Sequence, residues 1–414
     1  MGTTYEILVG IDWATETHQV CVLTPEGKPL LERTVEHKAP AIHAFIETLI
    51  ARVGGRAASI AVAIEVPRGG LVETLLERGL HVYSLNPKQL DRFRDRHSVA
   101  GAKDDRLDAY VLADALRTDL HKFRQVALDH PLVIQIREIS RADEDLRDEA
   151  NRLTNRLREQ LYRWVPHLLS LSPSTDEPWF WDLIERITRS DSMRLNRGQL
   201  EKLLRKHRIR RHTPDAVLAA LGTERMNIAP GAAEAARSHI RLLLPRLRVV
   251  HEQRKQCAKQ LTSLLDQYAA EDDDERGSSP SDVHLLRSLP GVGAGVTATL
   301  LAEAASLLRA ADYPALRAFG GLAPVTKRSG KSRVVLMRYG CNTRLRNAFY
   351  HWARTSVQHD DAARNYYATL RARGHSHGRA LRSVADRWLR ILTAMLNSRT
   401  MYDPLHKRLV RVVA

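Results

Sequence analysis

The sequence predicts an α/β domain at the N-terminus, a long helical region with a coiled-coil pattern, and a mainly α-helical C-terminal domain. Short apolar strands alternate with helices up to about residue 87. Beyond that point apolar residues recur at helical spacing, and the composition changes again near residue 281. Strands that alternate with helices imply a sheet with parallel members, because each helix carries the chain back across the sheet.

Two of the five predicted strands reach a carboxylate at their ends. The first, "EILVGID" at 6–12, ends at Asp12, and the fourth, "SIAVAIEVP" at 59–67, reaches Glu65. The remaining strands are predicted at 18–24, 29–37 and 81–87, and helices at about 40–53, at 70–78 and from 88 onward. Ligands gather at the carboxyl ends of parallel strands, so these two acids lie where a binding site is expected.

Three further carboxylates cluster in "GAKDDRLDA" at 101–109. Asp105 and Asp108 are three residues apart, so they share one face of a helix. Together with Asp12 and Glu65 they offer four hard oxygen ligands, a set that suits a pair of Mg²⁺ or Mn²⁺ ions. Two such ions can stabilise the attacking and leaving oxygens of a phosphoryl displacement. The alternative is a solvated helix start, since acidic residues also offset the helix dipole there.

The overall charge points to a polyanionic partner. The 414 residues carry a formal net charge of +16, with a pI of about 10.0, which favours nucleic acid over a merely basic globular protein. Three separated cysteines, without CxxC spacing, argue against a zinc site or a disulfide framework. The N-terminus lacks a signal-peptide pattern and no apolar run approaches a membrane span, so a cytoplasmic protein without membrane contact is expected.

The middle of the chain, residues 129–270, has the pattern of long helices. Apolar residues recur at heptad spacing in 139–164 and 243–268, which indicates two arms of a coiled coil or, equally, a helical bundle. A small basic helical insertion is expected at about 170–235. The acidic, then Ser-, Gly- and Pro-rich residues 271–281 are interpreted as a linker. A coiled coil between chains would make the protein a homo-oligomer, a dimer or a tetramer, and the alternative is a coiled coil within one chain.

The C-terminal domain, residues 282–414, begins with "LLRSLPGVGAGVTATLLAE" at 285–303, which is typical of a helix-hairpin-helix. Gly291 and Gly293 would expose backbone N–H groups beside a helix start, where a DNA phosphate can dock; the alternative is a tight turn between helices. From 327 to 346 no acidic residue occurs, and this composition predicts a phosphate-binding surface. Its basic residues are Lys327, Arg328, Lys331, Arg333, Arg338, Arg344 and Arg346.

Several motifs resemble one known family. They are "GID" at 10–12, "IEVPRGG" at 64–70, "AKDDRLDAYVLADALR" at 102–117, and, in the C-terminal domain, "GLAP", "SGKS", "RYGCNTRLRNAFY" and "ARGHSHGRAL". Together they resemble the DEDD transposases of bacterial insertion sequences, the insertion-sequence 110 family. The resemblance covers most of the chain outside about 170–235.

The resemblance implies a RuvC-like, ribonuclease-H-like fold for residues 1–128, with Asp12, Glu65, Asp105 and Asp108 as its metal ligands. Asp104, where the family usually has Thr, Ser or Asn, is interpreted as a helix cap. The resemblance also implies a nucleophilic serine at Ser329, with Ser332 as the rival, and a covalent phosphoserine link to DNA. Finally, it implies that a structured non-coding RNA selects donor and target DNA.

Two other functions are compatible with the sequence. A metal-dependent, Holliday-junction-resolvase-like nuclease would use the carboxylates and leave Ser329 idle. A catalytically inactive nucleic-acid-binding protein would use only the basic surface, and the intact carboxylates speak against it.

Overall fold

The computed structural model describes residues 5–67, 69–97, 104–126, 129–189, 195–224, 228–229, 231–277, 279–330 and 332–404. The chain divides into two compact units, residues 1–129 and 130–414, and each is described by itself. The first is a mixed sheet with helices, and the second is mostly helical. Among the described residues, no helix combines the length and the apolar character needed to cross a bilayer.

The first unit is built on a six-stranded sheet in the order β3-β2-β1-β4-β5-β6. Its strands are β1 (Ile7–Asp12), β2 (Thr17–Leu23), β3 (Pro29–Glu36), β4 (Ile60–Ile64), β5 (His81–Ser84) and β6 (Arg124–Val126). Its helices are α1 (Ala39–Arg52), α2 (Gly70–Glu77), α3 (Pro87–Arg94) and α4 (Asp105–Asp119). The strands β1, β4 and β5 run parallel to one another, and the other pairings are antiparallel.

All five predicted strands are present, and β6 corrects the expectation of a purely helical pattern after residue 88. This strand is only three residues long, and it forms by pairing with β5. A segment so short carries no readable alternation of apolar and polar residues, so local pattern could not reveal it.

The two faces of β1 pack against different helices. Val9 and Ile11 lie in the core with α1 and α2, whereas Leu8 packs with residues of α4. Gly10 lies directly beneath α4, where a Cβ atom would come within 1.9 Å of the Ala109 carbonyl oxygen. Because only glycine leaves room for this contact, the helix that carries Asp105 and Asp108 crosses close over the strand that ends at Asp12.

Two long helices organise the second unit. They are α5 (Pro131–Trp164) and α9 (Ala232–Arg276), and they lie antiparallel, since ion pairs join Glu149 to Arg246 at 3.4 Å and Asp143 to Arg254 at 3.2 Å. The two predicted arms therefore pair within one chain. Three helices connect them, namely α6 (Pro178–Arg189), α7 (Arg197–Lys206) and α8 (Pro214–Leu221). These pack on one end of the pair, around the buried Trp179 and Phe180.

The predicted linker is helical over much of its length. The helix α9 continues to Arg276, so residues 271–276 belong to it. Asp272 is buried and accepts a hydrogen bond from the Asp282 backbone N–H at 3.1 Å, and Asp273 accepts one from the Ser281 N–H at 2.7 Å. The acidic residues therefore join α9 to the start of the next helix, because their carboxylates satisfy N–H groups that the helix start leaves unpaired.

The last part of the second unit packs on the other end of the long helix pair. Its helices are α10 (Asp282–Ser288), α11 (Ala294–Arg309), α12 (Tyr313–Phe319), α13 (Thr343–His359), α14 (Asp361–Ala372) and α15 (His377–Ser398). A hairpin of β7 (Val325–Ser329) and β8 (Ser332–Leu336) lies between α12 and α13. The sequence analysis did not predict this hairpin, whose strands are largely exposed and therefore lack a buried apolar face.

The α5–α9 seam leads to a prediction about stability. Leu247 is 1% exposed within the core at one end of the pair. Leu247→Ala is expected to lower the free energy of unfolding by about 2–5 kcal/mol, because it leaves a cavity in a packed core. Urea denaturation measures this loss, and Gln260→Ala on the exposed face of the same helix is the matched control. A normal stability together with a halved mass in light scattering would instead place the seam between two chains.

Candidate active site

Asp12 and Glu65 lie next to each other at the carboxyl ends of two neighbouring central strands, β1 and β4. Parallel pairing sets Ile11 beside Ile64, and Asp12 and Glu65 are the next residues in the chain. Leu8 and Gly10 of β1, and Ala61 and Ala63 of β4, face α4. Asp12 continues this alternation as the last residue of β1, Glu65 follows directly after the end of β4, and both are partly buried. The expected grouping at the carboxyl ends of two parallel strands is thus present in the backbone.

The first turn of α4 carries the other acids. Asp104 caps the helix and accepts a hydrogen bond from the Arg106 N–H at 3.1 Å, which confirms the interpretation as a cap. Asp105 is exposed, whereas Asp108 is 2% exposed. The two carboxylates share the helix turn as predicted but differ in their surroundings, and a buried carboxylate requires a charge partner.

That partner is Arg94 at the end of α3. Its Nε donates to one Asp108 oxygen at 2.6 Å, and its Nη2 donates to the other at 2.8 Å. A third bond joins Arg94 to Asp91 at 3.0 Å. Hydrogen bonding to Asp108 raises the pKa of the Arg94 guanidinium above its usual range. Arg94 was missed by the sequence analysis, because no local pattern pairs a residue of α3 with one of α4.

The fit of these acids to a metal ion is partial. The donor chemistry fits, since four carboxylates on three neighbouring elements are hard oxygen ligands. Within the described part of the chain, however, no three His, Cys, Asp or Glu side chains gather closely enough to hold a metal ion. Charge explains the difference, because converging carboxylates repel one another and the Asp108 charge is already balanced by Arg94.

Ser329 is the last residue of β7, and its cross-strand partner is Ser332. Both serines are exposed, so both rival nucleophiles lie at the tip of one hairpin. Gly330 follows with φ of 54°, the left-handed conformation that a two-residue turn needs. Lys331, a predicted nucleic-acid contact, lies outside the described residues.

Behind the serines, Arg328 lies directly opposite Arg333. Both arginines are exposed, and neither forms an ion pair with any described residue. Like charges directly opposite each other destabilise a strand pair. An anion placed between these arginines would therefore stabilise the hairpin as well as bind to it.

The other predicted nucleic-acid contacts divide into free and engaged residues. Lys327 is exposed on the hairpin. Arg344 forms an ion pair with Glu144 of α5 at 3.1 Å, and its nucleic-acid contact stays a prediction. Arg346 is partly buried against Cys341, and Arg338 donates to the Ala323 carbonyl oxygen at 3.2 Å. The basic residues from 327 to 346 therefore form a continuous exposed surface only where they lie on the hairpin.

The two predicted turn glycines also differ. The helix–turn–helix of α10 and α11 is present. At Gly291 a Cβ atom would come within 2.6 Å of the Ser356 backbone nitrogen, so this glycine packs on α13. Gly293 is exposed before α11 and has open space beside it. Packing therefore explains why position 291 is a glycine, and docking of a phosphate at Gly291 and Gly293 stays a prediction.

Two family models match the chain. One, described as a transposase, matches residues 9–166 and includes all four predicted metal ligands. The other, described as a transposase of the IS116/IS110/IS902 family, matches residues 283–368 and includes the hairpin.

Relatives agree with this result. Protein y4uE of Sinorhizobium fredii is 46% identical over 235 residues, which are 56% of this chain and 64% of that protein. The mini-circle IS117 protein of Streptomyces coelicolor is 29% identical over 96% of this chain and 95% of its own length. The 43.6 kDa protein of insertion element IS110, also from Streptomyces coelicolor, is 30% identical over the same shares. With both terminal regions matched and near-full-length relatives, the chain belongs to the IS110 family of transposases, enzymes that cut and rejoin DNA.

Proposed function

We propose that the chain cuts and rejoins DNA through a covalent bond between the Ser329 oxygen and a DNA phosphorus atom. The observation that carries this proposal is the hairpin tip, where an exposed serine adjoins two exposed arginines with no acidic partner among the described residues. A serine hydroxyl is a weak nucleophile by itself, and cations beside it stabilise the negative charge that develops in phosphoryl transfer.

The covalent step accounts for rejoining as well as cutting. The Ser329 oxygen forms a bond to phosphorus and gives up its proton, while the bond from phosphorus to one deoxyribose oxygen breaks and that oxygen takes a proton. The phosphodiester is exchanged for a phosphoserine diester, so no bond energy is lost to hydrolysis. A deoxyribose hydroxyl of another strand can then attack the same phosphorus and release the serine.

The carboxylates belong to the proposed metal site of an N-terminal ribonuclease-H-like domain. The sheet supports this assignment, because three antiparallel strands are followed by the parallel neighbours β4 and β5. Asp12, Glu65, Asp105 and Asp108 would hold Mg²⁺ or Mn²⁺. Bound ions would supply charge stabilisation at the attacking and leaving oxygens.

The proposed partners are donor DNA, target DNA and a structured non-coding guide RNA, with action in the cytoplasm. The net charge of +16 supports the binding of several polyanionic nucleic-acid molecules. Recombination joins two duplexes, so we propose that a homo-oligomer, a dimer or a tetramer, provides more than one active site.

The second candidate function is a metal-dependent nuclease, which the placement of Asp12 beside Glu65 favours. Trapping on a suicide DNA substrate separates the two functions. A recombinase leaves protein covalently linked to DNA, whereas a nuclease leaves cut DNA and free protein.

Binding should depend steeply on salt. The affinity for duplex DNA is expected to fall linearly on a log–log plot against salt, because Lys and Arg contacts release counterions. Reversing Arg328 and Arg333 to Glu should reduce the slope by about 2, since each phosphate contact contributes roughly 0.9. Fluorescence anisotropy at several salt concentrations measures the slope.

The control for this measurement is the same change of charge on α7. Lys202 and Arg205 are exposed there and belong to the helices at the opposite end of the long pair. Their reversal to Glu should leave the slope nearly unchanged. Equal slopes for both double variants would show that net charge, and not the hairpin, governs docking.

A further inference from the structure

A cavity lies between the base of the hairpin and α15. Its volume is about 320 Å³, and its lining includes Leu336 at the end of β8 and Arg338 just beyond it. Ser332, at the tip, is four residues before Leu336, which corresponds to roughly 13 Å along a strand. A nucleic-acid strand that follows the hairpin from its tip would therefore reach this cavity, which we call the α15 pocket.

The α15 pocket carries uncompensated positive charge. Arg317, Arg338, Arg379 and Arg382 all line it, and Asp386 is its acidic residue. The Asp386 carboxylate already accepts a bond from Arg317 at 2.7 Å and another from the Tyr313 hydroxyl at 2.8 Å. Within the described part of the chain, no carboxylate forms an ion pair with the other three arginines. Three arginines of the pocket therefore lack a carboxylate partner among the described residues.

Arg382 is the arginine of the pocket whose charge is least favourably placed. Its guanidinium is partly buried, and its Nη1 lies 3.3 Å from the Met337 sulfur, a weak acceptor. Burial, together with the neighbouring Arg379, lowers the pKa of Arg382 below its usual range. An anion bound in the pocket would stabilise this partly buried, unpaired guanidinium.

Two further features define the shape of the ligand. The Nδ1 atom of His375, which lines the pocket, is buried and has no hydrogen-bond partner among the described residues. Leu322, Pro324 and Leu336 add apolar atoms to the lining of the same pocket. A phosphate that carries a less polar group can accept a hydrogen bond from His375 and contact this apolar lining, whereas a free inorganic anion would leave the apolar lining uncovered.

We infer that the α15 pocket binds one nucleotide of the bound strand. Its phosphate lies on Arg338, Arg379 and Arg382, and its sugar or base lies against Leu322, Pro324 and Leu336. This inference rests on the proposed function only in that the second unit binds nucleic acid. The strand is either DNA or RNA, and the test distinguishes these sources.

The test measures binding of labelled single-stranded DNA, and of RNA of the same sequence, to the full chain by fluorescence anisotropy. Arg379→Gln and Arg382→Gln are each expected to weaken binding by about tenfold or more, because each removes charge-assisted bonds to a phosphate. Arg373→Gln is the matched control, since Arg373 is exposed nearby and does not line the pocket. It should change affinity by less than about twofold if only screened surface charge is lost.

Thermal unfolding without nucleic acid keeps the result interpretable. The unfolding midpoint of Arg382→Gln should not fall, because the change removes an unpaired, partly buried charge. Should this variant fail to fold, the exposed Arg379→Gln decides the question alone.

A loss with one probe only identifies that nucleic acid as the source of the nucleotide, and a loss with both shows that the pocket accepts either. The inference would be overturned if the pocket variants bound nucleic acid as tightly as Arg373→Gln does. In that case the proposed function would still stand, provided that the wild type forms the Ser329 adduct. Absence of wild-type binding to both probes would overturn the inference but not the proposed function, which the Ser329 adduct tests separately.

Discussion

Replacing Ser329 with alanine is expected to abolish the covalent protein–DNA adduct, and with it both strand cleavage and rejoining. The loss should reach roughly three orders of magnitude or more, as for other enzymes that lose their nucleophile. Ser329 is exposed at the end of β7, so the change removes a hydroxyl without opening a cavity, and the fold should be retained. Mass spectrometry of the peptide linked to a trapped suicide substrate measures the result directly.

Ser332→Ala is the matched control, because Ser332 is paired with Ser329 across the same turn and is equally exposed. It should keep the adduct and most of the activity. Ser329→Cys should retain a weak activity, since a thiolate is also a nucleophile. A linked peptide in which Ser332 carries the DNA would move the nucleophile across the hairpin. Full cleavage by Ser329→Ala without any adduct would favour the metal-dependent nuclease.

The second large effect is expected from the carboxylates of α4. Asp105→Asn should abolish cleavage while DNA binding remains, because it removes a metal ligand and leaves the basic hairpin intact. Asp105 is exposed, so this variant should fold normally. Cleavage with increasing Mg²⁺, in parallel with calorimetric titration of Mn²⁺, measures both consequences. Cleavage at the wild-type rate in excess chelator would contradict the metal site.

Asp108→Asn should abolish cleavage too, but it carries a second cost. It breaks the two-bond contact with Arg94 and leaves that guanidinium beside a neutral amide. Removing one partner of a buried pair typically costs about 3–5 kcal/mol of stability. The matched control is Asp104→Asn, which removes a neighbouring carboxylate but keeps the cap, since Asn caps as well as Asp. It should cleave and fold as the wild type does.

The local elements of the fold could be predicted from the amino-acid sequence alone. The five strands up to residue 87 were readable because apolar runs and turn residues mark them locally. The cap at Asp104 and the long α5 and α9 helices were readable for the same reason, since capping residues and heptads are local patterns. The family, too, could be identified from motifs alone, and the comparisons confirm it.

The ion pairs that individual charged residues form could not be predicted, because they depend on packing between distant elements. Nothing in the sequence distinguishes Asp108 or Arg344 from the charged residues beside it. In the structure, Asp108 forms an ion pair with Arg94 and Arg344 forms one with Glu144, and each partner lies on another helix. In the same way, β7 and β8 form a hairpin by pairing with each other, and Asp272 and Asp273 of α9 accept hydrogen bonds from the backbone at the start of α10. Charge pairing depends on distances in space between elements far apart in the chain, and a linear pattern does not contain those distances.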